Sequence, residues 1–292
     1  MAVTATLFGD PGCPWGYSAD RCEKALRWRF GDQLEWELVM IGLAEEGSEY
    51  TEKGFTPEKM AGFLPMFSKA FGMPFQYEAK GHMSGTSQGC RAVVAAGQAG
   101  GTGAAFDAFH ALQFMQFTTT GTLDSPDDIR AALAGVEGLD ADAIVAAIDS
   151  PEVVEAYEEG RARARQAAGG PAEALGKTAD AGGEVRYTAP TIVFTGPDDR
   201  VLEAGGMLPT EAYEMAIANL DPSIERRDPP EGPAEALAAF PCGLTTAEVA
   251  EVMRPSGQPG DLAAARTALE ELEASGGATR HPLGDDALWL AA

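Results

Sequence analysis

Residues 3–8, Val-Thr-Ala-Thr-Leu-Phe, form an apolar run rich in strand formers, the length of one buried strand. A helical period follows over 14–30, where Cys22, Ala25, Leu26 and Phe30 recur at three- and four-residue spacing and mark a buried face. Residues 34–41 alternate and then turn fully apolar, which predicts a second strand. Strand, helix, strand is a βαβ unit and implies parallel pairing. From Thr56 to about Gln166 the pattern is helical, broken at Pro and Gly, with helices predicted to start at Thr56-Pro57-Glu58, over 87–98 and 104–117, to start at Asp124-Ser-Pro-Asp-Asp128, and over 140–148 and 151–166. Phe63, Met66, Phe67, Phe71, Met73 and Phe75 make a Met- and Phe-rich stripe, read first as core and second as a soft apolar groove. After a break at Gly169-Gly-Pro171, residues 187–194 read as a strand with Pro190 at its head, and 200–204 as its hairpin partner. A helix is predicted over 209–219 and a proline-rich linker over 221–233.

Beyond the linker lie two capped amphipathic helices, 245–253 and 261–274, and a hairpin over 276–290 with a tight turn near Gly284-Asp285. Helix, helix, hairpin resembles a winged helix-turn-helix. Its charge argues against a nucleic-acid role. From Gly232 onward there are three basic and nine acidic residues, and the helix that would read DNA carries Glu270, Glu271 and Glu273. Phosphate neutralisation supplies most non-specific affinity, and this surface repels phosphate. A docking or oligomerisation module, as in a homodimer, fits better.

The whole chain of 292 residues carries a formal charge of −24, which likewise disfavours nucleic acid and anionic membrane surfaces as partners. The N-terminus lacks a basic region followed by a long apolar stretch, and no run of eighteen apolar residues occurs, so a cytoplasmic location is expected, with no membrane span. Cys13, Cys22, Cys90 and Cys242 are too widely spaced for a disulfide framework, and His82, His110 and His281 stand apart from them, so no metal site is expected.

Chemistry concentrates at Asp10-Pro-Gly-Cys-Pro-Trp-Gly-Tyr17, the junction between the first strand and the first helix. Pro14 suits the first helical position, where a missing N–H costs nothing. A helix N-terminus favours thiolate over thiol, which makes Cys13 the candidate nucleophile, against the alternative of a small buried hydrophobe. Cys22 falls on the opposite side of the helix, ~13 Å along it, and reads as core. Cys90 reads as packing or redox in equal measure.

Three signals in this order resemble the DsbA family of thioredoxin-fold proteins, nearest its cytoplasmic FrnE-like branch. They are the Cys-Pro-Trp-Gly-Tyr turn after the first strand, Ala189-Pro-Thr-Ile-Val-Phe194 opening a later one, and the helical block between them. Phe106–Met115 and Leu202–Pro209 resemble further segments of that family, so the likeness spans about 3–220. The resemblance implies an α/β, thioredoxin-like domain over 1–55 and 171–222, an inserted helical domain over 56–170, and the winged-helix-like module over 232–292 as an addition. It implies that Cys13 is the nucleophile, that Pro190 follows a cis peptide bond, and that Ala189 pairs with an extended substrate strand. Pro14, Trp15, Gly16 and Tyr17 complete the expected substrate-binding residues, with Trp15 and Tyr17 flanking the thiol. Family oxidoreductases mostly carry Cys-Pro-Trp-Cys, whereas position 16 here is glycine. Exchange between two cysteines of the motif is thereby excluded. Cys13 then acts alone, with a mixed disulfide resolved by glutathione or mycothiol and no tightly bound cofactor. Alternatively it activates such a thiol in a kappa-class-like transferase or isomerase reaction, or the domain is a non-catalytic scaffold. Cys242 is a further candidate to resolve Cys13 if the tail folds back over it.

Overall fold

The computed structural model describes residues 2–292. The first strand, β1 (Val3–Gly9), is followed by α1 (Pro14–Phe30) and by β2 (Leu34–Met40), which pairs parallel to β1 in register Val3 with Leu34. The helical block holds α2 (Ser48–Glu52), α3 (Pro57–Phe71), α4 (Ser87–Thr118), α5 (Pro126–Leu133), α6 (Ala141–Ala147), α7 (Pro151–Ala164) and the single turn α8 (Pro171–Ala174). Side chains of Thr56, Ser125, Asp140 and Ser150 each accept a backbone N–H at the start of the helix they cap, as the sequence reading of those starts requires. The two helices expected over 87–117 are joined end to end as α4. Gly101, at φ 80° and ψ −171°, is the non-helical residue that separates them.

A small hairpin, β3 (Thr178–Asp180) and β4 (Val185–Tyr187), precedes β5 (Thr191–Thr195) and β6 (Val201–Gly205). The run 187–194 is therefore two strands interrupted at Pro190, which has no N–H to give to a ladder. Strands β5 and β6 complete a four-stranded sheet in the order β2-β1-β5-β6, with β5 antiparallel to both neighbours. Next comes α9 (Thr210–Leu220). The main core joins the sheet to α1, α4 and α9 through Leu7, Leu26, Trp36, Phe109, Phe194 and Ile217.

The tail contains α10 (Pro233–Ala239), β7 (Leu244–Thr245), α11 (Thr246–Met253), α12 (Leu262–Ala274), β8 (Ala278–Leu283) and β9 (Asp286–Ala291). Its three strands pair in the order β7-β9-β8, and Leu283 opposite Asp286 leaves Gly284-Asp285 as the two-residue turn. Thr245 and Glu248 form a reciprocal capping box at α11. Trp289 is fully buried in the tail's own core, its indole N–H donating to Thr246 Oγ1 at 3.0 Å.

The tail packs on α1, on a flank whose charges are out of solvent. Asp20, Glu23, Lys24 and Arg29 of α1 are all buried. Glu251 of α11 accepts from Arg21 at 2.6 Å, from Thr210 at 2.5 Å and from Arg254 at 2.7 Å, so one carboxylate ties α11 to α1 and α9. Arg29 donates to Glu214 and to the Arg254 carbonyl. Deeper in, Lys24 Nζ lies 3.1 Å from His110 Nδ1, and His110 Nε2 faces Glu23 at 3.4 Å. No helix among the described residues is long and apolar enough to cross a membrane.

Candidate functional site

Cys13 is the N-cap of α1, with extended backbone at φ −91° and ψ 114°, and Pro14 takes the first helical position. The turn is closed by the Cys13 N–H donating to the Asp10 carbonyl at 3.1 Å and the Tyr17 N–H donating to the Cys13 carbonyl at 3.0 Å. From 176 residues away in sequence, Ala189 brings its carbonyl oxygen to 3.2 Å from Cys13 Sγ, and the thiol donates to it. The Ala189–Pro190 peptide bond is cis. The structure thus brings Cys13, Pro14, Gly16, Ala189 and Pro190 together at one end of the sheet.

The electrostatics differ from the sequence expectation. Cys13 is 6% exposed and packs among Phe8, Ile41, Tyr187 and Ala189. Burial pushes its thiol up to about 12. The backbone amides of Gly16 and Trp15 pull the other way, as a helix N-terminus should, while the neighbouring Asp10 carboxylate adds to the rise. Desolvation outweighs the helix end, so the resting group is a thiol donating to Ala189 and not a thiolate.

Asp10 is a residue that composition and periodicity did not single out. Fully buried, it accepts from the Gly12 N–H at 2.8 Å, the Leu43 N–H at 2.8 Å, the Thr86 hydroxyl at 2.8 Å and the Cys90 thiol at 3.4 Å. One carboxylate therefore fastens the cysteine turn to the segment after β2 and to the start of α4. Burial raises its pKa, and those four donors oppose the rise. The only advance signal was an Asp two residues before a Gly in a turn, which reads as turn chemistry.

Trp15 and Tyr17 part company. Trp15 is 46% exposed and lies edge-on to Phe67 and Phe71, with ring centroids 4.8 and 5.9 Å away. Tyr17, expected to flank the thiol, is instead fully buried. Its hydroxyl donates to the Pro74 carbonyl at 2.9 Å and its ring stacks on Phe117, so it serves the core between α1 and the helical block. The Met- and Phe-rich stripe divides likewise. Phe67, Met73 and Phe75 are core, whereas Phe63 and Met66 face solvent.

All four cysteines are free. Cys22 is buried under α9, its thiol 3.8 Å from the Leu208 carbonyl. Cys90 is held by Asp10. Cys242 is exposed and lines a groove with Lys24, Phe106 and Asp107. Lys24 sits eleven residues along α1 from Cys13, roughly 16 Å at the helical rise. Cys242 thus stands well along α1 from Cys13, and the expectation that the tail folds back to bring it there is not met; the tail's contact nearer the motif is Ala247, which packs with Tyr17. At Gly16, a Cβ would stand 3.5 Å from Cys13 Cβ with nothing closer, so the fold has room for a side chain there.

A family model described as a DSBA-like thioredoxin domain matches residues 4–186, ending just short of Ala189 and Pro190. No curated protein sequence matches the chain. Among solved structures, the chain is similar to a provisionally named protein disulfide isomerase from Nitrosomonas europaea, with 18% identity, coverage of 75% of this chain and 96% of the other, and a TM-score of 0.55. It is also similar to a provisionally named DsbA oxidoreductase from Streptomyces coelicolor, with 18% identity, coverage of 78% and 93%, and a TM-score of 0.55. At such identities the likeness is one of fold.

Proposed function

Because this chain belongs to the family of DSBA-like thioredoxin domains, we propose that it is a thiol–disulfide oxidoreductase working through the single cysteine Cys13. The observation that carries this reading is the Cys13 thiol donating to the carbonyl of Ala189, the residue before cis-Pro190, while the fourth motif position is Gly16. An extended substrate whose backbone N–H takes the Ala189 carbonyl displaces the thiol from it. Sγ is then left to the Trp15 and Gly16 amides, which favour the thiolate. In the first step the Cys13 sulfur attacks a substrate disulfide. A Cys13–substrate S–S bond forms, the substrate S–S bond breaks, the leaving sulfur departs as a thiolate, and the Cys13 proton passes to solvent. In the second, a small thiol of the glutathione or mycothiol class attacks the mixed disulfide, takes the substrate sulfur as a new mixed disulfide and returns Cys13 as a thiol. The cytoplasm, with its pool of small thiols, is the setting this cycle requires.

The burial of Cys13 favours a second reading, a binding scaffold in which the thiol is a packing residue. Turnover of a glutathionylated peptide separates the two. The first reading expects reduction that depends on added thiol and vanishes in Cys13→Ser. Absence of turnover with the intact protein, together with partner binding retained in Cys13→Ala, overturns it in favour of the scaffold.

A further inference from the structure

Leu43, which packs in the same cluster as Cys13, borders two hollows. One, of about 180 Å³, is mainly apolar and is lined by Pro14, Tyr50, Met60 and Leu64. The other is a polar cleft of about 580 Å³ between the segment 42–45, the end of α7 and the β3–β4 hairpin. It is crowded with charge of both signs.

Every carboxylate of the polar cleft has a partner inside the protein. Glu45 accepts from the Tyr157 hydroxyl at 2.9 Å and pairs with Arg161 at 3.2 Å, and Glu158 pairs with Arg161 at 2.9 Å. Glu184 lies 3.7 Å from Arg165, Glu49 accepts the Glu45 N–H at 2.7 Å, and Asp180 accepts the Gly182 N–H at 3.2 Å. Two cations lack a carboxylate partner. Lys53 has no carboxylate within 4 Å among the described residues, and neither does Arg186 of β4. Arg186 makes a single hydrogen bond there, Nη1 donating to the Tyr187 carbonyl at 2.9 Å, which leaves most of its fork free. In a chain of net charge −24 this is unusual. Every other arginine except Arg280 has a carboxylate within 4 Å among the described residues. Within the cleft Arg186 is thus the one guanidinium with no carboxylate of its own among the described residues, although the five carboxylates there outnumber the four cations.

Arg186 also stands where such an anion would matter. It lies three residues before Ala189, and its strand neighbours Val185 and Tyr187 pack in the cluster that surrounds Cys13. Its charge is near enough to Cys13 to oppose the rise that burial imposes on the thiol.

Resting on the reading of Cys13 as the exchanging thiol, we infer that Arg186 is a specificity-determining residue that binds a carboxylate of the substrate. The preferred substrate class is an acidic thiol or disulfide, such as a short thiol peptide with a free carboxylate, with its anionic group in the polar cleft and its sulfur at Cys13. A planar guanidinium with a free edge matches a carboxylate through two parallel hydrogen bonds.

The test compares two aromatic disulfides in a Cys242→Ser background, which removes the exposed thiol. One is dianionic dithiobis(nitrobenzoate) and the other uncharged dithiodipyridine. With each, the Cys13 sulfur forms a mixed disulfide as the probe's S–S bond breaks; the nitrobenzoate leaves as a thiolate and the Cys13 proton goes to solvent, whereas the pyridine leaves as the thiopyridone and keeps a proton, so the leaving group reports the rate. Any effect of Arg186 on the Cys13 proton acts on both probes alike, so their rate ratio isolates recognition. Arg186→Gln is expected to lower the anionic-to-neutral ratio about tenfold, the scale of one charge-assisted contact, and Arg186→Lys to recover most of it. Arg280→Gln, which removes the other unpaired arginine, stacked on Trp289 in the tail, is expected to leave the ratio unchanged. A ratio unaffected by Arg186→Gln, or lowered equally by Arg280→Gln, overturns the inference. A Cys13 inert toward both probes in the parent protein overturns the reading of the site, and this inference with it.

Discussion

Cys13 and Ala189 meet through a thiol proton. Sγ donates across 3.2 Å to the Ala189 carbonyl, and the same contact that marks the site holds the sulfur in its unreactive form. Burial raises this thiol to about 12, so only a minute thiolate fraction exists near neutral pH. Alkylation of Cys13 by iodoacetamide in a Cys242→Ser background is therefore expected to rise about tenfold per pH unit between pH 7 and 10, without a plateau. A rate that levels off below pH 8 would show that the helix-end amides outweigh burial after all.

Gly16 gives a sharper expectation. Its notional Cβ stands 3.5 Å from Cys13 Cβ, inside the span that disulfides use. Gly16→Cys is expected to fold, to join its new thiol to Cys13 in a disulfide on mild oxidation, and to release a trapped mixed disulfide without added small thiol. Intact-mass measurement under non-reducing conditions reads the loss of two hydrogens. Two free thiols persisting in folded, oxidised protein would contradict the geometry.

Asp10 couples the stability of the cysteine turn to the acidity of the thiol. Asp10→Ala strands four buried donors from Gly12, Leu43, Thr86 and Cys90, and is expected to cost about 3–5 kcal/mol in urea unfolding. Asp10→Asn keeps an acceptor and should cost less. By removing a charge that raises the Cys13 pKa, it should also speed alkylation at fixed pH. Slower alkylation in a folded Asp10→Asn protein would refute the assigned sign.

His110 sets a pH signature on the buried face of α1. Burial, with Lys24 alongside, lowers it to about 4 from an ordinary 6.5, so the folded state holds it neutral. The unfolded chain takes up a proton below 6.5 and the folded one does not. Stability from this residue is thus whole above pH 6.5 and declines as pH falls toward 4, by up to about 3 kcal/mol. Asp20 and Glu248, raised by burial, contribute with the opposite sign, so the comparison is with His110→Gln. Denaturant midpoints at pH 7 and 4.5 should converge in that variant relative to the parent. Equal pH dependence in both proteins would contradict a lowered His110.

What could be read in advance follows from how local the determinant is. The first strand and α1 announce themselves by period, and the tail hairpin by its Gly284-Asp285 turn, because each rests on neighbours in sequence. Pro190 was legible as a strand head, and its place opposite Cys13 came from the resemblance. Hidden were features made by distant segments. Strands of three residues, such as β3 and β4, show no period, so Arg186 gave no hint of lining a cleft. Asp10 looked like any turn aspartate until Leu43, Thr86 and Cys90 closed round it. The helix-end argument for a thiolate was sound locally and lost to burial, which a linear sequence does not display.

The grip of Glu251 on Arg21, Thr210 and Arg254 has a practical corollary for anyone who would shorten this protein. Cutting at the proline-rich linker would not liberate a smaller, self-sufficient domain. It would strip Arg21 of the Glu251 carboxylate and open to water the flank of the cysteine-bearing helix that the tail covers. The tail and the helix that begins at Cys13 thus stand or unfold as one cooperative unit.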